Sequence, residues 1–253
     1  MPVMKILGTA RLGNLSGRKA SEILDCLEKL HVDGIDTAPT YPKSEILIGK
    51  FLAQNPGCQL KIFTKWGRGE QLSLDSFKSS IYSSLKAMKV DSIYSVSVHN
   101  RKISEIPQEV FEQVIKFKSE GVINKFGWCG DWENLSLEVM NFDYLMLPVN
   151  PFVKNLTLVD LPNKPIIAMN PFANFFWTYQ HWNIIERFYN HKFRRRFNPI
   201  PYKYLNSQKK VKMPPNIEDL ISFALKTKNI NGICFGSTNL NHITEISECF
   251  NKY

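Results

Sequence analysis

Four residues among the first hundred, Asp36, Tyr41, Lys65 and His99, carry side chains that together can move a proton to or from an oxygen. A tyrosine hydroxyl has an ordinary pKa of about 10, too high for easy donation at neutral pH. A lysine cation close by stabilises the phenolate and lowers that pKa. An aspartate beside the lysine keeps it charged and in place. A histidine can hydrogen-bond and orient a substrate oxygen. The same residues admit a plainer account, with Asp36 and Lys65 as a structural ion pair, Tyr41 as a loop aromatic and His99 as a hydrogen-bonded strand end. Their placement argues for chemistry. Asp36, Lys65 and His99 each follow one of three consecutive candidate strands, which core packing alone does not predict.

The elements that must position them alternate along the chain. Short β-like runs fall at Met4–Gly8, Gly34–Asp36, Leu60–Thr64, Ile93–Val98, Lys125–Cys129, Tyr144–Val149, Pro165–Met169 and Gly232–Phe235. Between them lie stretches with helical apolar spacing. These are Ser21–Leu30, a helix through Leu52 with Ser44 as N-cap, Leu74–Met88 behind Ser73, Gln108–Lys118 before Gly121, a short helix over Trp132–Met140, Ile217–Leu225 and Leu240–Phe250. The segment after the sixth strand gives only a weak, short helix. Alternation of this kind implies a parallel sheet with right-handed crossovers. Eight strands favour an α/β fold of the (β/α)8 TIM barrel type, and no GxGxxG follows the first strand to support an open dinucleotide-binding sheet. One domain over residues 1–253 is expected, with a long insert at 174–215 after the seventh strand.

That insert carries the charge. The chain has a formal net charge of +9, from 32 basic and 23 acidic residues. Nine of the basic residues and none of the acidic ones lie between Arg187 and Lys212, so the rest of the chain is neutral. An anionic group near 187–212 is the natural partner of Arg194, Arg195, Arg196 and their neighbours, unless the run is a solvated loop. Aromatics are interleaved there, including Trp177 and Trp182; nucleic acid is a lower-ranked partner. No apolar run reaches the roughly 18 residues of a membrane span. Met1 to Gly13 lacks the zones of a signal peptide, so a soluble, cytoplasmic protein is expected. Cys26, Cys58, Cys129, Cys234 and Cys249 are scattered, without CxxC or metal-ligand spacing, and read as free thiols with no metal.

The motifs resemble one family. Gly34-Ile-Asp-Thr-Ala-Pro-Thr-Tyr41 followed by Ser44-Glu45 and Gly49 is similar to the aldo-keto reductase signature after the second strand. Phe63-Thr64-Lys65, the stretch Ser84-Leu85 and Val90-Asp91 to His99, and Gly121 to Gly127 are similar to its next three motifs. Leu7-Gly8-Thr9-Ala10 and Phe235-Gly236-Ser237-Thr238 fit its two ends. The separations from Asp36 to Tyr41, Lys65 and His99 are 5, 24 and 34 residues in turn, and the match spans nearly everything outside about 174–215. The resemblance implies a catalytic set in which Tyr41 is the proton donor, Lys65 tunes it, Asp36 holds Lys65 and His99 orients the substrate oxygen. It implies NADP, with NAD possible, as the source of hydride.

The same resemblance points to a cofactor site, and there the sequence departs from the family pattern. Gly8, Thr9 and Ala10 would lie beside the cofactor, as would Pro171 and Phe172. Cys129 and Gly130 stand where the family has Ser-Asn, Met146 where it has glutamine, and Met169 where it often has an aromatic. Gly236 stands at a phosphate-gripping lysine and His242 at an arginine, while Ser237, Thr238 and the acidic Glu245 are kept. Methionine can cover a flat ring by dispersion but cannot replace an amide hydrogen bond. Substrate contacts are expected from Arg11, Trp66, Asn100 and Trp128. The expected activity is interconversion of a small carbonyl and an alcohol, with a sugar derivative as a candidate substrate. The alternative is a non-catalytic barrel of the same type that binds a partner or effector.

Overall fold

In a computed structural model, residues 2–135, 137–151, 153, 164–172 and 217–253 are described. The 174–215 insert, with its basic run, and the weak segment after the sixth strand lie outside the described residues.

The strands all run parallel and close on themselves. They are β1 (Met4–Gly8), β2 (Gly34–Asp36), β3 (Lys61–Trp66), β4 (Ile93–His99), β5 (Ile123–Cys129), β6 (Tyr144–Pro148), β7 (Ile166–Met169) and β8 (Ile230–Gly236). Each pairs with the next, and β8 pairs with β1 from Met4↔Gly232 to Gly8↔Gly236. The chain is thus an α/β protein with a closed (β/α)8 barrel. Among the described residues, no helix is long and apolar enough to cross a membrane, and no group of three or more His, Cys, Asp or Glu is placed to hold a metal.

Strand alternation sorts the apolar residues into two layers. Ile6, Phe63, Cys129, Tyr144, Met146, Ile167 and Cys234 fill the barrel interior. Leu7, Ile35, Trp66, Val96, Val98, Trp128 and Phe235 join the larger layer between barrel and helices. Tyr144 crosses the interior from β6, and its hydroxyl lies 2.7 Å from Ser95 Oγ and 2.6 Å from Ser97 Oγ on β4. Gly127 leaves room for that ring, because a Cβ there would come within 2.4 Å of it.

The helices show where caps override apolar spacing. α1 (Gly17–Cys26) starts before the expected Ser21, because the Ser16 hydroxyl accepts from the Lys19 amide. Leu27 and Leu30 belong to the turns that follow it. α2 (Ser44–Gln54) is preceded by Lys43 at φ 58°, so Ser44 is the first helical residue rather than the cap. Its hydroxyl links three elements instead. Thr37 Oγ1 donates to Ser44 Oγ, Ser44 Oγ to Thr9 Oγ1, and Thr9 Oγ1 to the Asp36 carbonyl. α3 (Leu74–Met88) has the expected Ser73 cap, closed into a capping box with Ser76. α4 (Gln108–Ser119) ends ahead of Gly121 at φ +73°. In place of one helix after β5 there are two short 3-10 turns, Trp132–Asn134 and Leu137–Asn141. α5 (Ile217–Lys226) and α6 (Leu240–Phe250) complete the described helices.

Candidate active site

The C-terminal ends of β2, β3 and β4 bring Asp36, Lys65 and His99 to one mouth of the barrel, and the turn after β2 adds Tyr41. In that turn the Tyr41 amide donates to the Ala38 carbonyl, and the Ser44 amide to the Tyr41 carbonyl. The chain therefore doubles back before α2 begins. The Tyr41 ring comes to rest with Lys65 Nζ 5.2 Å from its centroid and the His99 ring edge-on at 6.2 Å.

Lys65 is 2 % exposed and Asp36 4 %. Lys65 Nζ donates to both Asp36 carboxylate oxygens at 2.5 Å and to the Thr37 carbonyl at 2.9 Å. An ammonium has three donors, so all three have acceptors in the barrel wall. Lys65 thus acts on Tyr41 through its field. Burial is the largest single influence and works against the Lys65 cation, but the Asp36 carboxylate together with Tyr41 and Cys129 raises its pKa overall. Burial pushes the Asp36 carboxyl up, and the Lys65 ammonium opposes that.

Burial also pushes the Tyr41 hydroxyl up to about 12, with Lys65 pulling the other way. The phenol is therefore protonated at neutral pH, a store of one proton beside a fixed cation. His99 is pushed down to about 3, first by burial and then by the Lys65 and Arg68 charges. It is a neutral imidazole across the ordinary pH range.

The opposite side of the mouth is lined with sulfur. Cys129 at the end of β5, Met146 on β6, Met169 on β7 and Cys234 on β8 face inward together. Cys129 Sγ lies 3.8 Å from Met169 Sδ. Burial raises the thiol of Cys129 to about 12 and that of Cys234 well above its usual range, so both are neutral.

The remaining expected site residues separate into groups. Trp66 and Trp128, expected against the substrate, face out of the barrel and are 1 % and 0 % exposed. Their indole N–H groups donate to Ser76 Oγ and the Arg101 carbonyl. The expectation is corrected: each follows an inward residue by one or precedes it by one, and strand parity sends it under the helices. Arg11 and Asn100 are exposed at loops after β1 and β4, Asn100 at φ 52°. Thr9 is buried with its hydroxyl committed to Ser44 and Asp36, between Gly8 and the exposed Ala10. Gly130 is buried, its amide on the Met146 carbonyl. Pro171 is buried and Phe172 half-buried just after β7.

Gly236, Ser237 and Thr238 form the accessible turn from β8 into α6. Asn239 caps α6 by accepting from the Asn241 amide. The amides at the start of this eleven-residue helix, with the Ser237 and Thr238 hydroxyls, are a donor set suited to a phosphate. His242 is half-buried on the first turn, and Glu245 is exposed on the next, beside Glu248.

Sequence reasoning missed Arg68. Its side chain reaches back from the loop after β3, and Nη1 comes within 3.4 Å of His99 Nε2. The signal was available: it is the first charged residue after Lys65 at the C-terminal end of a barrel strand, set between Gly67 and Gly69.

The model of the Aldo/keto reductase family matches residues 6–252. The chain belongs to this family. Curated proteins give no match. Among solved structures, a Pseudomonas aeruginosa protein assigned to the aldo-keto reductases aligns at 19% identity and TM-score 0.71, over 98% of this chain and 89% of its own. An aldo-keto reductase of Klebsiella pneumoniae, solved in complex with NADPH, aligns at 17% and 0.70, over 98% and 86%. The holo form of an aldo-keto reductase of Bacillus halodurans aligns at 19% and 0.69, over 97% and 85%. At such identities these likenesses are of fold. In this aldo/keto reductase family member, the donors fit the phosphate end of a nicotinamide dinucleotide. The inner wall presents sulfur rather than amide groups.

Proposed function

We propose that the chain is an oxidoreductase that interconverts a small carbonyl and an alcohol with NADP(H). The observation that carries this reading is the position of a protonated tyrosine beside a fully hydrogen-bonded lysine cation and a neutral histidine. The NADPH complex of the Klebsiella pneumoniae relative supports the choice of cofactor. When bound, the reduced nicotinamide supplies a hydride to the carbonyl carbon. Tyr41 gives its proton to the oxygen on which charge develops. Lys65 stabilises the phenolate left behind, and Asp36 holds Lys65 against the cost of burial. Ser237, Thr238 and the first amides of α6 would hold a cofactor phosphate. The sulfur-lined wall would cover the ring. The basic 187–212 run is proposed as a partner for an anionic group, and residues 1–253 as one domain.

The sugar-derivative reading rests on the short Leu7-Gly8-Thr9-Ala10 start. Of the four residues that would suit its oxygen-rich contacts, Arg11 and Asn100 are exposed at loops of the mouth, whereas Trp66 and Trp128 are buried under the helices.

One observation favours the second reading, a non-catalytic barrel: Cys129, Met146 and Met169 offer no amide hydrogen bonds to a carboxamide. Tyr41→Phe separates the two. If the chain is an enzyme, NADPH consumption with a panel of aldehydes falls by about 10²–10⁴-fold, while NADPH affinity stays the same. Wild-type protein that neither binds NADPH saturably nor consumes it would establish the non-catalytic reading.

A further inference from the structure

Arg68 supplies something the four expected residues do not. A guanidinium has five N–H donors and no acceptor. In its contact with His99 Nε2, the imidazole nitrogen must therefore be the acceptor, which places the ring proton on Nδ1. A carbonyl oxygen, also an acceptor, finds no proton at Nε2 in this arrangement. The donor offered to substrate on that side is the guanidinium itself.

Its surroundings leave the charge available. Among the described residues no carboxylate is paired with Arg68, and nearby Glu70 accepts from the Gly67 amide instead. Gly67 and Gly69 have φ of +100° and +81°, conformations that turn the loop back over the mouth. The side chain is exposed to solvent, yet Nη1 reaches a histidine that is 6 % exposed. The cation thus stands against the histidine that would face a substrate oxygen.

We propose that Arg68 is a substrate-recognition residue and that it selects carbonyl compounds bearing a carboxylate on the carbonyl carbon or on the carbon next to it, such as 2-oxo acids. The inference rests on the oxidoreductase reading for turnover but not for binding. Arginine is suited to it because its planar fork meets both oxygens of a carboxylate at once. Engagement by a carboxylate also draws the guanidinium from His99 Nε2 and frees the imidazole to change tautomer and donate. Substrate binding and the donor side of His99 are thereby coupled.

The test compares phenylglyoxylate with its neutral methyl ester in wild type, Arg68→Gln and Arg68→Lys. The ratio of kcat/KM for acid over ester, compared between proteins, cancels the intrinsic reactivity of the two ketones. It falls at least about tenfold in Arg68→Gln, as expected for loss of a charge-assisted hydrogen bond, and less in Arg68→Lys. An unchanged ratio overturns the assignment. Calorimetric titration of phenylglyoxylate into the NADPH-loaded proteins needs no turnover. Saturable binding to wild type, weakened at least about tenfold in Arg68→Gln, supports the assignment even if neither ketone is reduced, an outcome that would count against the oxidoreductase reading instead. Ester reduction by a wild-type protein that does not bind the acid leaves the reductase standing and removes Arg68 from recognition.

Discussion

The two sides of the barrel mouth are built from opposite materials. On the β2–β4 side, every buried polar group named has a partner: Asp36 with Lys65, Lys65 with Thr37, and Thr9, Thr37 and Ser44 with one another. On the β5–β8 side, Cys129, Met146, Met169 and Cys234 present neutral sulfur, whose directional bonds are the Cys234 thiol to Asp36 and Cys129 Sγ to Met169 Sδ. A fixed charge must be held to a fraction of an ångström to tune a neighbouring hydroxyl, and only a satisfied network holds it so. A flat ring can be covered by polarizable atoms with loose geometry. The polar side should therefore fail abruptly when altered, and the sulfur side gradually.

Lys65→Met should give the largest effect. It strands the buried Asp36 carboxylate at a cost of about 3–5 kcal/mol, read by denaturant unfolding, and abolishes turnover. Adding Asp36→Asn should recover much of the stability and none of the activity. If the single variant is as stable as wild type, the polar side is not the rigid half.

The pH dependence comes next. With Tyr41 raised to about 12, its proton is retained throughout the neutral range. Carbonyl reduction should stay flat from about pH 6 to about pH 9. Alcohol oxidation needs the phenolate, whose fraction grows about tenfold per unit below the pKa, and should climb at that rate. A reduction rate that drops near pH 7 would mean a much lower Tyr41 pKa and a stronger hold by Lys65.

Gly127→Ala probes the joint between the sides. Its Cβ would push Tyr144 off Ser95 and Ser97, for a loss of about 1–3 kcal/mol. Wild-type stability in this variant would show that Tyr144 can shift freely. Cys129→Ser should have the smallest effect. It puts a hydroxyl where the family carries one and should tighten NADPH binding by only about two- to tenfold, measured by fluorescence or calorimetry. A large loss of affinity instead would make the thiol itself a cofactor contact.

The sequence alone determined which elements form and which residues stand at their ends, because periodicity, caps and turn glycines act over a few neighbouring residues. The bounds of β1, β2, α3 and α6 and the Ser73 cap follow from such local signals. So does the presence of Asp36, Lys65 and His99 at consecutive strand ends, from which a barrel makes one site. The tertiary structure decided the rest. Strand parity already turned Trp66 and Trp128 outward beside Lys65 and Cys129, and closure of the barrel with its helices then buried them. Ser44 is worth a cap by its type, but the approach of Thr9 and Thr37 claims its hydroxyl. Whether Tyr41 sits low or high in pKa depends on burial against a cation brought from another strand. The contact of Arg68 with His99 joins a loop after β3 to the end of β4, 31 residues apart. Burial and distance between remote segments exist only once the chain has closed, and they set the protonation states on which the chemistry depends.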